Sequence, residues 1–367
     1  MPSSQRFIYI ACPWGPKGGG MYKVADYLLQ SQAPRSAVDF LALDTRGSGS
    51  ALFSILVLSA ALVKIVYGRL NRKLLGVHVN MGERLSFFRK SLIILLCRLI
   101  GLPVILHLHA SQFHLFYQKL PYPLTCYAHW VFACASHIVV LGPSAKHFVI
   151  NQLRQPEYKV EILINGVPAS KIARQLKVAK QPMQILFLGN LLPRKGVTDL
   201  LHALTLPGFN PEGLQVKLAG GGDLVFYQNL IDQLQLNAWV TLLGWADQQQ
   251  AAELMAAADI LILPSYDEGV PLVILEALAQ GVAVVCTPVG EIPHLLNDGE
   301  QACFVRPGDQ AGIAACLQRL LADSGLREKL RVNGLRIYQS QFSMRQYAQR
   351  ISRIHQSVFA DHVELIE

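Results

Sequence analysis

Charge is scarce in this chain: 16% of its 367 residues are Asp, Glu, Lys or Arg, against 51% hydrophobic. That excludes a disordered polyelectrolyte and indicates a globular, rather apolar protein, long enough for two domains. The seven cysteines are odd in number and nowhere spaced C-x-x-C, and they read as buried thiols in a reducing cytosol. The first glycine loop is not a G-x-G-x-x-G fingerprint, so a nicotinamide cofactor loses its main support. There is no D-x-D pair to hold a divalent ion between phosphates. No signal peptide is visible, because the apolar run Phe7 to Cys12 is short and meets Pro13 and a glycine cluster. No basic and aromatic module stands out, so nucleic acid is not an expected partner.

The positive charge is placed unevenly. Up to Glu161 there are 17 Lys and Arg against 6 Asp and Glu, an excess of +11, whereas the remainder carries −3. A half so charged suits an anionic partner. Lys64, Arg69, Arg72, Lys73, Arg84, Arg89, Lys90 and Arg98 flank two apolar runs, Ala51 to Val63 and Ser91 to Ile100. Neither run reaches the about 20 residues of a spanning helix. An anionic membrane surface is therefore the expected partner, and core helices with solvated charges are the alternative.

The segment from Ile260 to Glu291 organises the second half. Ile260 to Leu263 is a short apolar run closed by Pro264, which suits a buried parallel strand. Ser265 to Pro271 is a loop, Leu272 to Ala279 an apolar helix stopped by Gly281, and Val282 to Cys286 a second buried strand. In such a unit the active surface lies at the strand's carboxyl end and the helix N-terminus. Glu268 and Glu276 both fall there, with seven residues between them. Glu276 sits inside an otherwise apolar helix, where an unpaired charge is costly, so it needs a partner or a cleft.

Other strand ends carry polar loops. Phe7 to Ala11 leads through Pro16-Lys17-Gly18-Gly19-Gly20 into a helix from Met21 to Gln30, and Gly19 and Gly20 let backbone N–H groups approach a phosphate or sugar. The strand Pro103 to His109 ends on His107 and His109, which share one side; two histidines there suit a metal, but no third ligand is evident. Gln184 to Leu188 runs into Gly189-Asn190-Leu191-Leu192-Pro193-Arg194-Lys195-Gly196, where two adjacent cations in a glycine-bounded turn suit a diphosphate. Gln215 to Ala219 ends in Gly220-Gly221-Gly222-Asp223.

The pattern E-G-V-P-L-V-I-L-E, followed by A-x-x-x-G-V-A-V-V, closely resembles the E-x7-E segment of the retaining glycosyltransferases of glycosyltransferase family 4. The R-K-G turn at Arg194, the glycine loops at Gly18 and Gly220, and Val160 to Val167 resemble further segments of that family. The resemblance implies an α/β GT-B fold of two facing Rossmann-like domains with a central cleft. It assigns residues 1–167 to an acceptor-binding domain, 168–183 to a linker, 184–340 to a nucleotide-sugar-binding domain, and 341–367 to a helix returning to the first domain. Departures from the family pattern are Pro168 for a frequent aspartate, Leu243 for an aromatic, Gly290-Glu291 for G-G and His294 for glutamate, the last two near the donor sugar.

The same resemblance implies transfer of a hexose from a UDP- or GDP-linked sugar, with retention, to a lipid-linked or oligosaccharide acceptor in exopolysaccharide or lipopolysaccharide synthesis. Arg194 and Lys195 would hold the diphosphate, helped by N–H groups near Leu272 and Val273. Gly189, Gly221 and the loop Gly269-Val270-Pro271 would line the donor site. Glu276 would bind the ribose hydroxyls, and Glu268 would contact the sugar, with His109 near its reacting face. No metal and no cofactor beyond the donor is implied. The expected location is cytoplasmic, peripheral on the inner face of the cytoplasmic membrane. The alternatives are an inactive nucleotide-sugar-binding scaffold and a GT-B epimerase or phosphorylase.

Overall fold

Strands without a polar face must be covered on both sides, and the chain's short apolar runs meet that demand in two wholly parallel sheets. The computed structural model describes residues 6–15, 19–32, 38–174 and 182–359. They fall into two units, Met1–Gly166 with Met344–Glu367, and Val167–Ser343. The first contains β1 (Arg6–Cys12), β2 (Val38–Asp44), β3 (Leu74–Met81), β4 (Val104–Leu108), β5 (His137–Val140) and β6 (Val160–Ile162), in the order β2-β1-β3-β4-β5-β6. The second contains β7 (Met183–Leu188), β8 (Leu214–Ala219), β9 (Val240–Gly244), β10 (Ile260–Leu263), β11 (Ala283–Cys286) and β12 (Cys303–Phe304), in the order β12-β11-β10-β7-β8-β9. In each sheet the order reverses beside the first strand of the unit. Open α/β sheets present ligand-binding loops at such reversals.

The Leu272–Gln280 helix ends where Gly281 adopts φ +64°, a left-handed cap that glycine takes without strain. The expected linker 168–183 belongs to the second unit, where Arg174 reaches the Gly281 carbonyl and lies 3.5 Å from Asp259. Residues 175–181 lie outside the described residues, as do Pro16, Lys17 and Gly18 of the first glycine loop.

Three expectations about buried groups and charges need correction. The apolar run expected to end at Val63 continues past Lys64 to form the helix Ala51–Leu70, and its buried stripe is narrow: Ser54, Leu58, Ala61, Ile65 and Gly68. Lys90 is not a surface charge. It is fully buried, its ammonium donates to Ser86 Oγ at 2.9 Å, and burial lowers its pKa to about 7. The cysteines are all free, but Cys126 is exposed, and Cys134 and Cys316 are partly so.

The helix Met344–Phe359 belongs to the first unit and runs over β3. Phe359 covers Gly76, and His355 pairs with His78. Four helical residues rise about 6 Å and two strand residues about 6.6 Å, so the two spacings match. A Cβ on Gly76 would lie 2.1 Å from Phe359 Cε1. Gly76→Ala is therefore expected to lower stability by roughly 1–3 kcal/mol, as overpacking of a filled core does. Denaturant unfolding checks this; an unchanged midpoint would show that the helix does not press on β3.

Candidate active site

The second sheet reverses between β7 and β10, and the loops leaving these two strands carry the cations and the first glutamate of the sequence motifs. Pro193–Lys195 is a single tight turn closed by Gly196 at φ +69°. A Cβ on Gly196 would lie 2.1 Å from the Pro264 carbonyl oxygen, so only glycine lets the turn press against the end of β10. The backbone N–H of Tyr266 donates to the Arg194 carbonyl at 2.8 Å and joins the two loops.

This closeness puts Lys195 Nζ 2.5 Å from Glu268 Oε1, with side chains only 13% and 7% exposed. A solvated basic turn is thereby ruled out at Lys195. Ser265 Oγ donates to the same carboxylate oxygen at 2.8 Å, and Thr287 Oγ1 donates to the Ser265 carbonyl at 2.5 Å. Gly290, at φ +59°, packs so closely on Glu268 that a Cβ would lie 1.8 Å from its carbonyl oxygen. The resemblance gave Lys195 and Glu268 separate ligands; the structure pairs them with each other. An ammonium has three donors, so Lys195 can keep Glu268 and still bind an entering oxygen anion. Arg194 is exposed and donates to the Asp267 carbonyl at 3.0 Å.

The glycine loops interlock in the same region. Gly189 N–H donates to Ala219 O at 2.9 Å and Leu191 N–H to Gly221 O at 2.7 Å. Gly220, at φ +156°, would bring a Cβ to 1.8 Å from Gly189 O. Gly269, Val270 and Pro271 lead into the helix Leu272–Gln280, whose N-cap Pro271 supplies no capping side chain. The N–H groups of such a helix start suit an anion. Glu276 is partly buried one turn further along, among the buried Ile274, Leu275, Ala277 and Leu278.

In the first unit, Gly19 is the extended N-cap of the helix Gly20–Gln30; both glycines are exposed, and nothing lies within 4 Å of a Cβ on Gly19. The fold itself therefore makes no demand for glycine at position 19. His109 follows β4, and β4 pairs with β3 so that Asn80 faces His107 and His109 N–H donates to Met81 O. Alternate residues share a sheet face, and the rings of His78, His107 and His109 collect there with Asn80. His109 Nε2 lies 2.7 Å from Asn80 Oδ1, His107 Nδ1 3.1 Å from His78 Nε2, and His78 Nδ1 2.9 Å from His355 Nε2. The rings of His107 and His109 are 4.0 Å apart. The imidazoles meet in file rather than around a point, and among the described residues no group of three or more His, Cys, Asp and Glu is arranged to hold a metal ion.

Residues 169–336 match the family model described as Glycosyl transferases group 1. The match covers most of the second unit and none of the first. The uncharacterized glycosyltransferase MJ1607 of Methanocaldococcus jannaschii is 28% identical over 204 residues, 52% of this chain and 52% of its own. O-antigen chain mannosyltransferase B of Escherichia coli is 31% identical over 154 residues, 41% of this chain and 40% of its own. The chain thus spans about half the length of the curated relatives it matches. Among solved structures, Anabaena Alr3699/HepE in complex with UDP aligns at a TM-score of 0.75 and 16% identity, covering 96% of this chain and 100% of that one. The likeness shows the fold, the two-unit α/β architecture of GT-B glycosyltransferases.

Sequence reasoning did not find Ser265, Thr287, Asn80, His78 or His355. The first two stand in the P-S and T-P-V-G steps that flank the glutamate motif, so a signal for them was present. The histidines have none, because His78 and His355 are 277 positions apart.

Burial holds His78 and His109 neutral, with pKa values lowered to about 3, and lowers His107 and His355 well below the usual range. In the unfolded chain each ring binds a proton below about pH 6.5. The stability these rings contribute is therefore complete above that pH and is lost as pH falls from about 6.5 toward 3, by up to about 1.4 kcal/mol per unit for each ring. Urea unfolding at pH 7, 6 and 5 should show this decline, and His355→Gln should remove about one proton from its slope. Equal stability at pH 7 and pH 5 would contradict neutral burial.

Proposed function

We propose that the chain is a retaining glycosyltransferase that moves a hexose from a nucleoside diphosphate sugar to a lipid-linked or oligosaccharide acceptor, in the cytoplasm, during exopolysaccharide or lipopolysaccharide synthesis. The observation that carries the reading is the Lys195–Glu268 pair, fixed beside Arg194 at the reversal of a parallel sheet. Glu268 fixes the Lys195 ammonium, which with Arg194 offers preorganised donors where a diphosphate leaving group gains charge, and such electrostatics supply much of a transferase's rate enhancement. The family match over the second unit, the O-antigen mannosyltransferase among the relatives and the UDP-bound structural neighbour support the choice of donor and pathway class.

In this reading Arg194 and Lys195 bind the diphosphate with the N–H groups of Leu272 and Val273. Glu276 binds the ribose hydroxyls, and Glu268, anchored by Ser265, faces the sugar. The acceptor hydroxyl attacks from the face the diphosphate leaves, and the departing phosphate oxygen takes its proton, so configuration is retained without a covalent enzyme intermediate. His109, kept neutral in the first unit, offers hydrogen bonds but no charge.

Incubation with UDP- and GDP-hexoses and a lipid-linked or oligosaccharide acceptor, with NMR assignment of the product anomer, tests the reading. Retention is expected, whereas inversion, or epimerised donor as sole product, would reject it. Lys195→Ala should weaken nucleoside diphosphate binding by roughly 1.5 to 3 kcal/mol, or about 10- to 150-fold. Calorimetry on a variant shown to be folded measures it, and unchanged affinity would remove Lys195 from the site. Because charge neutralisation is assigned to Arg194, Lys195 and a helix start, activity should survive a chelator. Its complete loss, with recovery on adding magnesium or manganese, would overturn that assignment.

A further inference from the structure

The helix Ala51–Leu70 departs from what a surface helix normally is. A helix over a sheet buries one stripe and shows polar residues outward. This one buries Ser54, Leu58, Ala61, Ile65 and Gly68 and shows water Leu52 (77% exposed), Leu56 (68%), Val63 (67%) and Leu70 (75%). It is long and apolar enough to cross a membrane by length and composition. Its buried stripe nevertheless packs on β2 and β3, and leaving the sheet would strip that core. It is therefore built to lie flat with its outer face covered by something apolar.

The neighbouring elements extend the face. The connections β2 to β3 and β3 to β4 step the same way across the sheet, so right-handed crossovers put both their helices on one side. The second helix, Leu85–Leu99, exposes Leu85, Leu92 and Leu99 at seven-residue intervals. Beside it the helix Tyr122–Cys134 exposes Tyr122 and Trp130, aromatics that favour the boundary between lipid and water.

Charge selects the occupant. Between Asp44 and Glu157 the sequence contains one acid, Glu83. Lys64 is exposed on the apolar helix and Arg98 beside Leu99. At the end of the apolar helix Arg6, Arg69 and Arg72 line a cavity of about 630 Å³ with Leu70 and Ile100. A second copy of the chain would bring the same cations opposite these and no acids to meet them. A bilayer bearing anionic phosphates meets both demands, because acyl chains cover the leucines while phosphates face the arginines and Lys64 reaches up to the headgroups.

We propose that this three-helix face seats the first unit on an anionic phospholipid bilayer, with Ala51–Leu70 lying in the interface plane and the Arg6, Arg69 and Arg72 cavity taking a lipid phosphate. The surface owes nothing to the transfer reaction, so the two readings can fail separately. Unlike a purely electrostatic contact, an inserted apolar face keeps part of its binding at high salt.

The test is co-sedimentation of the full chain with vesicles of phosphatidylcholine alone or mixed with phosphatidylglycerol, at low and high salt. Binding should be at least about tenfold stronger to the mixed vesicles and should persist in part at high salt. Leu56→Asp with Val63→Asp should abolish it, and Arg69→Gln with Arg72→Gln should cut the preference for anionic lipid roughly tenfold. These residues are outside the donor site, so nucleoside diphosphate affinity should not change, and retained near-UV circular dichroism and a cooperative thermal unfolding of the whole chain report that the variants fold. Equal binding to both vesicles, or none to either, would overturn the proposal. So would self-association in light scattering that the aspartate variants abolish without any vesicle binding, since that would make a second copy the occupant.

Discussion

Lys195 and Glu268 are 73 positions apart and meet almost without solvent. Taking two charges out of water costs several kcal/mol each, and the pair recovers this only if its geometry is held and its remaining polar atoms are served. Much of the second unit's irregular structure can be understood as meeting that condition. Gly196 lets one loop touch the carbonyl at the end of β10, Ser265 serves the carboxylate, Thr287 holds Ser265, and Gly290 closes over the backbone of Glu268. A lysine so fixed would lose little further entropy on meeting an anion.

The first unit uses a different device. Its sheet ends in imidazoles that each offer one donor and one acceptor; His78 uses both of its ring nitrogens, toward His107 and His355, whereas His107 Nε2 and His355 Nδ1 are buried without a hydrogen-bond partner among the described residues. His355 brings the final helix to these rings, and Phe359 fits the gap left by Gly76. The last of the described helices thereby helps determine the surroundings of His78 and, through it, of His107. Lys90 is buried nearby with a hydroxyl as partner. Polar groups are thus concentrated inside one end of a unit whose helix Ala51–Leu70 shows an apolar outer face.

That inversion links core and surface. Where a soluble protein puts charge outside, the helix Ala51–Leu70 presents leucines, and the cations gather at its end around a cavity. The departure of Gly290-Glu291 from the family pattern also gains a structural meaning: Gly290 is required by its left-handed backbone and its contact with Glu268, while Glu291 is buried behind it.

The sequence by itself determined the local units. Runs such as Ile260 to Leu263, the stop at Gly281 and the glycine-bounded turn at Arg194 obey short-range rules of periodicity and turn chemistry, so the parallel α/β class and the loops that carry Arg194, Lys195 and Glu268 were legible. What lay beyond it depended on strand order and register. Nothing near Lys195 in the chain announces Glu268 as its partner, and nothing near His78 announces His107 or His355. A lysine flanked by Arg89 and Ser91 looks like surface until the helix is rotated against the sheet, and that rotation is what buries Lys90. The run after Ala51 looked finished at Lys64, because a charge within an apolar helix can snorkel outward and composition does not reveal that freedom. Whether an apolar stretch becomes core or exposed face is decided by how much of its circumference the sheet covers, and only the tertiary structure shows that the sheet beneath Ala51–Leu70 covers a single stripe.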